Sequence, residues 1–198
     1  MKINFILSDL DGVIRKYPSE RDTAIEQKFH LPNGAIYKAA FEKSILQNVV
    51  CGIITDEAWR HLMADSLAIV INDKATAQTA IAEWSDFPGL VDQNYLDFIG
   101  QKFPMIPIAV LTNGTSRLMS DLRKLGIDQR FRRIFNSADI GVCKPDPKIY
   151  QHVVDALNCK PNEILFNDDS MSHILAAEEF GFQVHHYRNL ANLQSKMD

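Results

Sequence analysis

The chain has little cysteine and no pattern in it. Cys51, Cys143 and Cys159 are an odd count without C-x-x-C spacing, which argues against a disulfide framework or a zinc knuckle. Reduced thiols in a cytoplasmic protein are the expectation. Long apolar runs are also missing. Residues 3–7 are too few to span a bilayer, and the run from Met1 meets Asp9 too early to serve as a signal h-region. No excess of positive charge is present, because the net charge is −4 with 23% charged residues. A nucleic acid or an anionic membrane surface is therefore not an expected partner. The Asn113-Gly-Thr115 sequon has no secretory context to act in. Internal repeats and low-complexity tracts are absent. What remains is a 198-residue globular sequence, 46% apolar, of one or two domains.

Its organising stretch is Phe5-Ile-Leu-Ser-Asp-Leu-Asp-Gly-Val-Ile14. A short apolar run of this kind reads as a buried strand that stops where the acids begin. Carboxylates at the C-terminal edge of such a strand lie where open α/β sheets place their ligands. Asp9 and Asp11, two residues apart, repel unless a cation or a division of protonation states relieves them. Gly12 permits the tight turn such a site needs.

Residues 15–86 change character. Helical periodicity appears near 20–29, 34–47, 56–71 and 73–84, broken at Leu31-Pro-Asn-Gly34 and Asn48-Val-Val-Cys-Gly52. Thr55 is placed to cap a helix, with Asp56 and Glu57 at its positive end. Trp59, Leu62, Met63 and Leu67 then share one face and are expected to form core rather than a cofactor site. His30 and His61 have no spaced partners, so packing or surface roles are expected. After Phe87-Pro-Gly89 the pattern alternates. Strands are expected at 106–111, 131–135, 163–166 and 182–186, with helices near 90–102, to about 125, at 147–157, to Phe180 and at the C-terminus. Residues 136–147 read as a loop. Strand–helix alternation with long crossovers makes a parallel sheet. The expected architecture is a three-layer, Rossmann-like α/β core from residues 1–14 and 87–198, with residues 15–86 inserted as a helical cap.

Three expected strands end in polar clusters: Asp9/Asp11, Thr112/Asn113 and Asp168/Asp169. Lys144 sits in a Pro-stiffened loop between the last two. Paired carboxylates suit a hard cation such as Mg²⁺. A hydroxyl with backbone N–H groups at a strand-to-helix turn cradles an anion, and a lysine adds a point charge for phosphate. Together these are the parts of phosphoryl transfer.

At this point the chain resembles, along its whole length, the haloacid dehalogenase-like (HAD) hydrolases with a helical cap after the first strand. The resemblance lies in Asp9-Leu-Asp-Gly-Val13, Val110-Leu-Thr-Asn-Gly114, Gly141-Val-Cys-Lys-Pro-Asp-Pro147 and Phe166-Asn-Asp-Asp-Ser170. The surroundings are similar to the phosphatase domain of soluble epoxide hydrolases and to bacterial sugar-phosphate phosphatases. Ser8 and His173 depart from the family pattern. The resemblance implies Asp9 as nucleophile, Asp11 as acid and then base, and Thr112 and the Asn113 N–H as phosphate holders. It further implies Lys144 as the neutralising cation, and Mg²⁺ bound by Asp9, the Asp11 carbonyl and Asp169, with Asp168 helping. The implied substrate is a small phosphorylated metabolite. A phosphomutase, a 2-haloacid dehalogenase and a non-catalytic binding domain remain alternatives; a glycosyltransferase reading of D-x-D leaves Lys144 and the second acidic pair unexplained. Arg15, Lys16 and Tyr17 could approach a leaving group or form a solvated hinge. Cys143 is expected to be a packed free thiol.

Overall fold

The computed structural model describes residues 2–197. The chain opens with β1 (Phe5–Ser8), a tight turn and β2 (Arg15–Lys16). Five helices follow: α1 (Glu20–Lys28), α2 (Ala35–Ala40), α3 (Lys43–Val50), α4 (Asp56–Ile71) and α5 (Lys74–Asp86). A short β3 (Leu90–Val91) pairs antiparallel with β2 and closes the neck of this insertion. The chain then runs through α6 (Gln93–Lys102), β4 (Ile108–Thr112), α7 (Leu118–Lys124), β5 (Arg133–Asn136), α8 (Ser137–Ile140) and α9 (Pro147–Leu157). It ends with β6 (Ile164–Asp168), α10 (Met171–Phe180), β7 (Gln183–His186) and α11 (Leu190–Met197).

The five-stranded sheet is parallel throughout, in the order β5-β4-β1-β6-β7. Winding runs outward from β1 to β5, then returns to the other side of β1. That reversal opens a crevice beyond the C-terminal end of β1. Alternate residues feed opposite faces, and both faces are apolar. Ile6, Val110 and Leu165 pack with Tyr95, Leu122 and Leu193 from α6, α7 and α11. Leu7, Leu111 and Phe166 pack on the other side with Tyr150, Val153 and Ala177 from α9 and α10. A strand buried on both faces needs the near-continuous apolar composition these have. The third cluster, including Ile25, Ile36, Met63, Leu67 and Ile81, belongs to the inserted helices.

Local signals account for many boundaries. Thr55 Oγ1 accepts from the Ala58 N–H at 3.1 Å and starts α4. Asp146 accepts from the Lys148 N–H ahead of Pro147 in the first turn of α9. Several expectations shift. The segment 34–47 splits into α2 and α3 at Phe41–Glu42, because Glu42 accepts from the Ser44 and Ile45 N–H groups and restarts the helix. Asn48–Val50, expected to be a break, completes α3. The loop 136–147 contains α8. Met63 and Leu67 are buried, whereas Leu62 is 43% exposed and falls outside the packed stripe.

The expectation of free thiols is corrected: Cys51 at the end of α3 and Cys143 are joined by a disulfide, and Cys159 stays free. The pair is 92 residues apart in sequence, so only the docking of the inserted helices brings it together. The same docking uses Ser137 Oγ, which donates to the Val50 carbonyl at 2.5 Å. Asp56 is buried at the other contact. It receives Thr115 Oγ1 at 2.9 Å and Arg60 Nε at 2.8 Å, while its own N–H donates to Ser116 Oγ at 3.0 Å. No helix among the described residues is long and apolar enough to cross a membrane.

Candidate active site

Because β1 is central and flanked by β4 and β6, their C-terminal ends lie side by side. Asp9 therefore lies at the same sheet edge as Thr112 and Asp168 from neighbouring strands, all three buried. The Asp9 N–H extends the ladder to the Asn167 carbonyl at 2.8 Å, and its carboxylate accepts from the Leu10 N–H at 2.7 Å. Ser8 Oγ, which itself accepts from Tyr95 O–H, donates to the Asp9 carbonyl at 2.8 Å. Ser8 thus ties the strand end to α6.

Lys144 is buried completely at its side chain. Its Nζ lies 3.0 Å from Asp9 Oδ1 and 2.6 Å from Asp168 Oδ2, and donates to the Leu111 carbonyl at 2.9 Å. All three ammonium protons have an acceptor. The lysine is held from behind by Asn113. The Asn113 amide donates to the Lys144 carbonyl at 2.9 Å and accepts from the Lys144 N–H at 2.8 Å. The side chain of Asn113 is thus a clip for the lysine loop, a role its sequence position does not announce.

His173 is the residue that spacing alone left open. Its Nδ1 is 3.0 Å and 3.1 Å from the two Asp168 oxygens, and its carbonyl accepts from Tyr150 O–H. Burial works against ionisation of Asp168, but His173 and Lys144 outweigh it and hold the carboxyl below its ordinary range. Burial pushes Asp9 the other way, up from that range, with Lys144 opposing and Asp168 and Asp11 adding to it. Burial also opposes the charge on Lys144, and Asp9 and Asp168 overcome it.

Asp11 turns away from this cluster. Gly12, at φ +85°, reverses the chain, and Arg15 comes back onto Asp11 through Nε–Oδ1 at 2.6 Å and Nη2–Oδ2 at 2.9 Å. Arg15 is buried, so neither a solvated hinge nor a free contact to a leaving group describes it. Lys16 donates to the Gly12 carbonyl and lies over the Tyr187 ring at 4.9 Å. Tyr17 and Asp11 line a cavity of about 260 Å³ between the inserted helices and the sheet edge.

Asp9, Asp168 and His173 bring ligand atoms within 4.8 Å of one another. Both oxygens of Asp168 already receive hydrogen bonds, from Lys144 and from the Ser170 N–H and His173. Asp169 is exposed, and its carboxylate lies so close to Gly12 that a Cβ there would collide with it. Asp9 and Asp169 offer oxygen donors of the kind a hard cation prefers, whereas Asp168 is committed to its neighbours.

The chain matches the haloacid dehalogenase-like hydrolase family over residues 3–181, and it belongs to that family. It is 25% identical to "Bifunctional epoxide hydrolase 2" of Sus scrofa over 91% of this chain and 36% of that protein. The chain thus spans about a third of the length of that relative. It is 24% identical to "D-ribitol-5-phosphate phosphatase" of Bacteroides thetaiotaomicron over 98% of this chain and 97% of that one. Its fold is similar, with a TM-score of 0.73 and 20% identity, to a HAD family enzyme of the same organism solved with magnesium and inorganic phosphate. That match covers 96% of this chain and 98% of the other.

Proposed function

We propose that this hydrolase is a Mg²⁺-dependent phosphatase of a small phosphorylated metabolite. The observation that carries the reading is the separation of the two acids of the first turn. Asp9 faces Lys144 and Asp168 in a buried cluster, while Asp11 faces the cavity. Position divides the tasks: Asp9, beside Lys144, would attack phosphorus, and Asp11, on the cavity side, would serve the leaving oxygen.

In this reading Asp9 attacks in line, the bond from phosphorus to the ester oxygen breaks, and Asp11, protonated once it leaves the Arg15 fork, delivers that proton to the oxygen. Asp11 then takes a proton from the water that cleaves the aspartyl-phosphate, and inorganic phosphate leaves. Thr112 and the Asn113 N–H hold the phosphoryl oxygens, and Lys144 balances their charge with that of Asp9. Bound Mg²⁺ would neutralise phosphate charge from a site made by Asp9, the Asp11 carbonyl and Asp169. Residues 15–86 act as the cap that encloses the leaving group and excludes water.

The test is hydrolysis of p-nitrophenyl phosphate with Mg²⁺. Activity lost in Asp9→Asn supports the proposal, and undiminished activity in that variant, or in EDTA, sinks it. Return of phosphate to a sugar would mark a mutase. Chloride release from a 2-haloacid without metal would mark a dehalogenase, in which Asp11 has no task.

A further inference from the structure

The cavity that Asp11 faces has polar groups in its wall, and nearly all of them are bonded within the protein. Asp11 is held by Arg15, Asp121 by Arg117 at 3.2 Å, and Asp56 by Arg60 and Thr115. Asp22 accepts from Trp84 Nε1 at 2.8 Å and offsets the charge of Arg21. The Asn113 amide is spent on Lys144, and Ser85 Oγ on the Ile81 carbonyl at 2.6 Å. Arg21 Nη2 and Trp59 Nε1 meet no acceptor among the described residues, but both are shut off from solvent and so from the cavity. Beyond the Tyr17 hydroxyl, a polyol entering this space would lose its water without replacement hydrogen bonds.

A charged alcohol is no better placed. Arg15 lies over the Tyr17 ring at 5.3 Å, and Arg21 lies 5.1 Å from the ring centres of both Trp84 and Phe87. These aromatic faces already hold the protein's own guanidinium groups, which would repel a second cation. An anion meets a wall in which carboxylates outnumber guanidinium groups, four to three. What the cavity presents instead is apolar surface. Phe41, at the end of α2, is 50% exposed and is backed by Tyr37 at 4.6 Å. Leu46 and Val50 follow on one face of α3, and Trp59 lines the space from α4. Apolar groups left open in a cavity beside catalytic groups mark a site for an apolar ligand. The cavity of about 260 Å³ has the liquid volume of roughly nine waters, which suits a group the size of a small ring.

We infer that the substrate is a phosphate monoester of an uncharged, apolar alcohol of about ring size, received by Phe41, Leu46, Val50 and Trp59. This rests on the phosphatase reading above and narrows its substrate class. A phosphoryl group held at the turn after β4, with its leaving oxygen beside Asp11, directs the alcohol into this space, because Asp11, Gly114 and Thr115 border it. Binding there takes apolar surface out of water on both sides of the contact.

The experiment compares kcat/KM for esters of primary alcohols that share a carbon skeleton size and differ in hydroxyl content. Cyclohexylmethyl phosphate is set against glucose 6-phosphate, and hexyl phosphate against sorbitol 6-phosphate. The wild-type protein is expected to prefer the apolar member by roughly 100-fold. Leu46→Gln keeps a good helix former but places an amide in the wall, and should cut that ratio by about 10-fold. Phe41→Ala, at a half-exposed position, should lower the ratio mainly through KM. Circular dichroism shows which variants fold. Equal use of both members, preference for the polyol ester, or a ratio unchanged in the folded variants overturns the inference. Mg²⁺-dependent phosphate release from either member then leaves the phosphatase reading intact, whereas no such release from any ester overturns both.

Discussion

Arg15 grips Asp11 with two parallel hydrogen bonds, one to each carboxylate oxygen, at 2.6 and 2.9 Å. The fork is itself anchored, since Nη1 lies 3.6 Å from Asp121 and donates to the Pro88 carbonyl. Asp11 therefore reaches the cavity in a set orientation rather than as a free side chain. A bidentate guanidinium has no equivalent in lysine. Arg15→Lys is expected to lower kcat for an aryl phosphate by about 10- to 100-fold with a smaller change in KM, because misplacing the carboxylate that activates water acts on the transition state. Steady-state kinetics on folded protein check this; an unchanged kcat would show that the fork is irrelevant to Asp11.

Lys144 is the countercharge of two buried carboxylates. Lys144→Met leaves Asp9 and Asp168 facing each other without it, and breaking such a buried arrangement costs about 3–5 kcal/mol. Urea denaturation at neutral pH should show a loss of that size together with loss of activity.

Asp168 makes stability depend on pH in a stated direction. Its carboxyl is held below the ordinary range in the folded chain, against burial, by His173 and Lys144. Its contribution is thus fully present above the unfolded carboxylate pKa of about 4 and disappears as pH falls through the lower folded value. Urea midpoints measured from neutral to acidic pH should fall less steeply at the acid end for Asp168→Asn than for the wild type.

Removing divalent cations should abolish phosphatase activity, and added Mg²⁺ should restore it. Asp169→Asn is expected to raise the Mg²⁺ concentration for half-maximal activity by at least about 10-fold. A titration of activity against Mg²⁺ gives the answer, and an unchanged midpoint would remove Asp169 from the site.

The Cys51–Cys143 bond closes a long loop between the inserted helices and the segment that carries Lys144. Reduction should destabilise the fold by about 2–4 kcal/mol through the entropy returned to the unfolded chain. Thermal unfolding with and without a thiol reductant measures it, and Cys51→Ser should respond to reductant far less than the wild type.

The parallel sheet, most of its helices and the placing of Asp9, Thr112 and Asp168 at one sheet edge were legible in the sequence, because each depends on short-range features. Apolar runs mark strands, and the polar residues that end them must lie at one sheet edge once the strands are parallel and adjacent. Asn113 was read for its N–H, while its side chain proved to hold Lys144. Three relationships were decided only by tertiary structure: the Arg15 fork on Asp11, the Asp56 junction with Thr115 and Ser116, and the Cys51–Cys143 bond. The fork needs the turn at Gly12 to fold Arg15 back, and the other two join residues 59 to 92 positions apart. Hydrophobic periodicity tells a helix which face to bury but not which surface it will meet. The partners of Asp56 and Cys51 were therefore set by how the inserted helices dock on the sheet.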